Sequence, residues 1–309
     1  MYYVRLLAFI GLSLSIFGCD SNQKSNKSEI PKESNNTLKE KGNLGFVRFT
    51  HQGKASEAYD NFLQILQVNP GVEIVGSLDH QSNAQNAGLE MPFAKVVYVY
   101  NQFQATPIIQ ENPLAGLDLP TRIAFFAAEK ENLVQFFDDS YYISKFNLNN
   151  SIQNAESASR VYLKTIESFL ENPTSTYIQH PIEEGIIYQE KTQDFDTTAK
   201  QIVTNIANDE RVDLFFAIDH QVLAKKYEQE LGKSILLFLG NAESGTKLMR
   251  EHPNLSFDLP LKILVFETSR GKTGVAYNDM SYIFERHHIE NKEPSVKMNE
   301  ILANLTQTE

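Results

Sequence analysis

The stretch that decides the fold runs from Ile218 to His288. It reads I-D-H-Q at 218–221, L-L-F-L-G-N at 236–241 and F-D-L-P-L-K-I-L-V-F at 257–266. G-K-T-G-V-A-Y-N-D follows at 271–279 and Y-I-F-E-R-H-H at 282–288. Lowering each number by 140 meets a second set: Asp79-His80-Gln81, Asn101, Asp118-Leu119-Pro120, Phe126, Asp139 and Tyr142-Ile143. Gly45/Gly185 and Val72/Val212 keep the same spacing, and no gap is needed from Asp79 to Tyr142. A period this long describes two whole domains rather than a solenoid of small units.

Each repeat reads as alternating strands and helices. Phe46–Phe49 is a strand, and a helix follows from about Ser56, an N-cap residue type, with apolar residues at helical spacing through Leu66. Val72–Leu78 and the β-branched and aromatic run Lys95–Tyr100 are strands. Thr106–Glu111 is a short helix, 122–127 and 133–137 are a hairpin, and 154–170 is a helix. The second repeat gives strand 185–190, helix 196–207, strand 212–218, short helix 221–230, strand 234–239, helix 245–251, hairpin 261–267 and 273–277, and helix 295–306. The domains are expected at 44–172 and 184–306. The architecture is α+β: two tandem repeats, each a small antiparallel sheet with helices on one face. A sheet so covered has another face to bury, so the two repeats are expected to meet as a pseudo-dimer.

Taken together, Asp219-His220, Ala224, Gly240-Asn241, Gly245-Thr246, Leu248-Met249, Asp258 to Lys262, Tyr277 to Asp279 and Arg286-His287 resemble the domain of unknown function 302 family. The resemblance spans roughly 44–149 and 184–306. It implies a fold similar to that of the TATA-binding protein, and it implies no activity. The first repeat departs from the pattern, with Tyr100 and Ala105 in place of glycines, Gln135 and Phe137 near the Tyr-Asn position, and Phe146-Asn147 where Arg-His is expected.

Residues 1–19 read as a processing segment. Arg5 precedes an apolar run, Leu6–Phe17, too short for a comfortable membrane span. Ile16-Phe17-Gly18-Cys19 has the form of a bacterial lipobox, which makes Cys19 a lipidation site and the membrane a partner through the anchor. Acyl chains contribute ~0.8 kcal/mol per buried CH₂, so two or three hold firmly. Residues 20–43 carry almost nothing apolar and read as a flexible tether, with a reach of roughly 25–30 Å. The expected location is the bacterial cell envelope, outside the cytoplasm.

The chain has a net charge of −11, and residues 1–43 hold six Lys/Arg against four Asp/Glu, which leaves −13 for the rest. That balance argues against nucleic acid and against docking on anionic headgroups. One cysteine excludes an internal disulfide and Cys-zinc sites.

The candidate ligand-binding residues are Asp219, His220, Asn241, Asp258, Lys262, Tyr277 and His287, with first-repeat equivalents Asp79, His80, Asn101, Asp118 and Arg122. An Asp beside a His can orient an imidazole for ligand or general-base work; adjacent residues at a strand end point apart, and Asp219 can equally cap a short helix. Asp258-Leu259-Pro260 fits a turn entering a strand. Lys262 can face an anion or solvent, and backbone N–H groups near Gly240 and Gly245 can hold an anion or simply start a helix. Gly271-Lys272-Thr273 lacks the earlier glycine of a phosphate loop. Glu285, His287 and His288 do not complete a metal-ligand set, and the residues leave any cofactor unknown. Three function classes stand: a tethered envelope module binding a small molecule, metal or protein partner, an enzyme using His220, Asn241 and Asp258, and a purely structural role. A single site is expected in the second repeat, where the glycines and polar residues remain.

Overall fold

The computed structural model describes residues 46–69, 71–128, 131–170, 174–176 and 185–308, all within one compact unit, Lys41–Glu309. The processing segment, Cys19 and the tether lie outside the described residues.

The first repeat runs β1 (Val47–His51), α1 (Ala55–Leu66), β2 (Val72–Asp79), α2 (His80–Asn86), β3 (Ala94–Asn101), α3 (Ala105–Glu111), a 3₁₀ turn (Pro113–Leu117), β4 (Thr121–Ala128), β5 (Glu131–Phe136), α4 (Asp139–Lys145) and α5 (Ile152–Glu167). A short strand in the connector, β6 (Thr174–Thr176), joins the sheet edge beside β1. The second repeat runs β7 (Ile186–Lys191), α6 (Phe195–Ala207), β8 (Asp213–Asp219), α7 (His220–Lys226), β9 (Ser234–Gly240), α8 (Ala242–Glu251), a 3₁₀ turn (Pro253–Phe257), β10 (Leu261–Glu267), β11 (Thr273–Asn278), α9 (Met280–Arg286) and α10 (Glu293–Leu305). The sheets are antiparallel, ordered β2-β3-β4-β5-β1-β6 and β7-β11-β10-β9-β8. This is the α+β, TATA-binding-protein-like arrangement, twice.

Alternation along the strands explains the packing. Val97, Val99, Ile123, Phe125 and Val134 face α1 and α5, meeting Phe62, Tyr162 and Ile166. Val96, Tyr98, Ala124 and Phe126, on the opposite face, meet Leu236, Phe238, Leu264 and Phe266 of the second sheet in one apolar core. Tyr98 and Phe238 cross edge-to-face at 4.7 Å, a favoured aromatic geometry. The two repeats are thus a pseudo-dimer packed sheet to sheet, and each 3₁₀ turn lies against the other repeat's strands.

Two local expectations need correction. Helix α1 starts at Ala55 after Lys54, with no side-chain cap, rather than from a cap at Ser56. The repeat offset also changes. Ile123 and Ile263 are 140 apart, but their ladder partners Phe136 and Tyr277 are 141 apart. The caps Asp138 and Asp279 keep 141, as do Asn147 and His288, both at positive φ. The β10–β11 hairpin is one residue longer than its counterpart. In the corrected register Lys145 stands where Arg286 does, and Phe146 where His287 does. The first repeat therefore keeps a cation at the place where the sequence pattern suggested it was lost.

Candidate functional site

The Asp-His pairs divide their work. Each aspartate caps its own short helix: Asp79 Oδ1 accepts from Ser82 N at 2.8 Å, and Asp219 Oδ1 from Val222 N at 2.9 Å. Each histidine reaches across to the other repeat. His80 Nε2–H donates to the Ser256 carbonyl at 3.1 Å, and His220 Nε2–H to the Leu119 carbonyl at 2.9 Å. Nδ1 of His220 accepts from Ser234 Oγ at 2.9 Å, which engages both its ring nitrogens. Burial pushes both imidazoles down to about 4, against smaller opposing effects of these carbonyls and the neighbouring aspartates, so both are neutral near pH 7.

Asp118, Arg122, Asp258, Lys262 and His287 converge, but in the core between the repeats. Arg122 bridges both carboxylates, Nη1 to Asp118 at 3.1 Å and Nη2 to Asp258 at 2.7 Å. Asp258 also accepts from Arg286 Nη2 and His287 Nε2, each at 2.6 Å. Asp118 accepts from Tyr141 Oη at 2.6 Å and faces Lys145 and Lys262, each at 3.2 Å. Lys262 also donates to the Leu117 carbonyl at 2.9 Å. Burial would raise both carboxyls, yet the surrounding cations outweigh it and hold them well below the usual range. Burial, helped by Arg122, pushes the Lys262 ammonium down to about 7 despite Asp118. Lys145 and Tyr141 went unread in the sequence, and Arg286 was read only as part of the family pattern, because the shifted register hid the Lys145/Arg286 pair.

The remaining candidates each hold local partners. Asn241 caps α8 through Ser244 N at 2.9 Å, and Asn101 accepts from Phe103 N at 3.0 Å. Tyr277 is buried at 3 % exposure, its hydroxyl beside Thr306. His220, Asn241 and Asp258 hold three separate sets of partners. Among the described residues no cluster of three His, Cys, Asp or Glu stands ready for a metal, and no helix is long and apolar enough to cross a membrane.

What the structure adds is a cavity of about 570 Å³ in the second repeat, between α8 and α10. Its floor is apolar, from Val212, Phe215, Met249, Leu259, Pro260 and Ile301, and Leu78, His80 and Asn83 of the first repeat close one side. Gly240 and Gly245 leave the space open. A Cβ at Gly245 would meet nothing nearer than 3.8 Å, and one at Gly240 only the Phe215 and Pro260 side chains at 3.5–3.7 Å. Asn241 and the buried Thr246 are polar points on the wall, and Arg211, Lys247, Lys297, Glu293 and Glu300 stand around it.

The family profile described as "Domain of unknown function DUF302" matches residues 47–171 and 187–305, which is most of the chain. The chain belongs to the DUF302 family. Among curated proteins it is similar to "Fluoride-specific ion channel FluC 1" of Brucella suis biovar 1 (strain 1330), 27% identical over 108 residues, covering 35% of this chain and 42% of that protein. FluC 1 of Brucella abortus biovar 1 (strain 9-941) and FluC 2 of Brucella melitensis biotype 1 match equally, 27% over 108 residues and 40% of each relative. The chain thus spans about two fifths of the length of these relatives. Among solved structures, an uncharacterized conserved DUF302 protein from Bacillus stearothermophilus aligns with TM-score 0.37 and 12% identity, covering 40% of this chain and 96% of that one.

Proposed function

We propose that this tandem DUF302 protein is a membrane-anchored envelope lipoprotein whose second repeat binds a small, largely apolar molecule, the first repeat serving as its support. The observation that carries the reading is the cavity of about 570 Å³ beside Gly240 and Gly245. Its size lies within the range of small-molecule sites, roughly 300–1,000 Å³, and its wall has the usual make-up of apolar surface with a few polar points. The dispersal of His220, Asn241 and Asp258 favours binding over catalysis. Native mass spectrometry of the full chain, purified without denaturant, tests it. A carried molecule should be present in wild type and absent from Gly245→Leu, which puts a bulky side chain into the cavity from a helical position where a Cβ meets nothing nearer than 3.8 Å. An empty wild type that takes up no member of an apolar panel ends the reading. The anchor rests on the Gly18-Cys19 pattern; labelled palmitate should enter the wild type and not Cys19→Ser.

A second reading is favoured by the buried network, where four cations face two carboxylates and Arg122 Nε, Arg286 Nε and Arg286 Nη1 have no hydrogen-bond partner. Uncompensated buried charge is costly, and a small anion accepted there would relieve it. The Brucella relatives are named as fluoride-specific channels, so fluoride is the first anion to try. Fluoride should raise the Tm of the full chain above an equal concentration of chloride, and Arg286→Met should remove the difference. Identical melting in both salts dismisses this reading.

A further inference from the structure

The first repeat holds its own occupant for the corresponding space. Tyr100 stands at the position of Gly240, and its ring is buried at 1 % exposure. Its hydroxyl meets Thr106 Oγ1 at 2.6 Å, and its ring stacks on Tyr227 with centroids 5.6 Å apart. Thr106 is repeated as Thr246, at 1 % exposure on the wall of the second-repeat cavity. The Thr246 hydroxyl donates to the Ala242 carbonyl at 2.7 Å, so its oxygen is left to accept. Where Tyr227 covers Tyr100, the matching residue is the exposed Ala87, which leaves that side without a ring to stack over the opening.

From this internal comparison we propose that the second-repeat cavity takes a phenol unsubstituted at the para position, its ring beside Gly240 in the place Tyr100 fills in the first repeat, and its hydroxyl donating to Thr246 Oγ1. The inference rests on the reading of the cavity as a ligand site and adds the chemistry of the ligand. The floor supplies the apolar surface a ring needs: Phe215 lies 3.5 Å from a Cβ built on Gly240, and Pro260 3.7 Å. A phenol O–H suits the site because the Thr246 hydrogen is already committed, so a donor is favoured over an acceptor. The cavity is larger than one ring, so any substituent is carried at a ring position other than para, which faces the Gly240 backbone as the Cβ of Tyr100 does in the first repeat.

The probes are phenol and its O-methyl ether, anisole, titrated calorimetrically into the full chain. The phenol should bind about tenfold tighter, the usual effect of one such hydrogen bond. Thr246→Val, which keeps the shape, should remove that preference while ether binding stays. Thr106→Val should lower stability and leave the preference intact. Gly245→Leu should abolish binding of both probes. Equal binding of phenol and ether to wild type, blocked by Gly245→Leu, would overturn the phenol assignment and leave the cavity reading standing. A preference that persists in Thr246→Val would overturn it as well. If neither probe binds, the phenol assignment falls, and the mass spectrometry above decides separately whether the cavity holds another ligand.

Discussion

The same cleft is closed in the first repeat and open in the second. Between α3 and α5, Glu111 accepts from the backbone N–H groups of Asn149, Asn150 and Ser151 at 2.6, 3.0 and 2.8 Å. Ser151 Oγ donates to the Pro107 carbonyl at 3.0 Å, and Asn154 Nδ2 to that of Phe103 at 2.6 Å. Those bonds draw α5 onto α3, while Tyr100 fills the interior. In the second repeat α10 is tied away from α8: Asn299 Oδ1 accepts from Met280 N at 2.8 Å, its Nδ2 donates to Asp279 at 2.7 Å, and the Leu305 carbonyl accepts from Asn205 at 2.9 Å. With glycine at 240 and 245, the space stays empty of protein. One duplicated fold thus gives one packed cleft and one cavity, and a few side chains and one strap of hydrogen bonds decide which.

The contrast depends on the two repeats being locked together, so the largest effect should come from the shared charge network. Asp258→Ala strands Arg122 and Arg286 in the core and should cost about 3–5 kcal/mol, the range for breaking a buried pair. Urea denaturation should show this as one cooperative transition; a loss below about 1 kcal/mol would mean that the network does not hold the repeats. Tyr100→Ala should cost about 3–5 kcal/mol by opening a cavity, and should give the first repeat a space like that of the second. Partial recovery of Tm on adding phenol would sharpen the comparison. No recovery would show that the first-repeat cleft collapses instead.

The two cross-repeat histidines should behave alike. Each has a folded pKa near 4 against an unfolded value near 6.5. Between those values the unfolded chain binds more protons, so stability rises with pH across the window and falls as pH drops from 6.5 toward 4. The loss should approach roughly 3 kcal/mol per histidine. Removing either one, His80→Ala or His220→Ala, should flatten the pH dependence measured by urea melts by a similar amount. A flat profile in wild type would refute the assignment of neutral, buried imidazoles. The smallest effect should come from Gly245→Leu, which gains about 0.8–1 kcal/mol of helix propensity in a thermal melt while closing the cavity. A destabilised variant would show that the space is not free.

Much of the fold was legible because it is written locally. The β-branched and aromatic run at 95–100, the apolar run at 234–239, the helical spacing of 58–66 and the turn at 258–260 each fix an element from neighbouring residues alone. The cap role of Asp219 was legible for the same reason, since the group it binds is three residues away. The short helices α4 and α9 were missed, and with them the extra residue of the second hairpin. Tyr142-Ile143 imitates Tyr282-Ile283 at the wrong offset, while the matching caps Asp138 and Asp279 and the pair Lys145 and Arg286 carried the signal for the right one.

The sequence by itself determined two α+β repeats, their antiparallel strands, and the first-repeat substitutions that leave the second as the one with room. Only the tertiary structure decided that Asp118, Arg122, Asp258 and Lys262 form one buried network across the repeats, that His80 and His220 bind carbonyls of the opposite repeat, and that Gly240 faces a cavity. Backbone propensity and capping act over a few residues and can be read along the chain. Which apolar face covers which, and which charge meets which across more than a hundred residues, depends on the simultaneous burial of both sheets, and no local pattern encodes that choice.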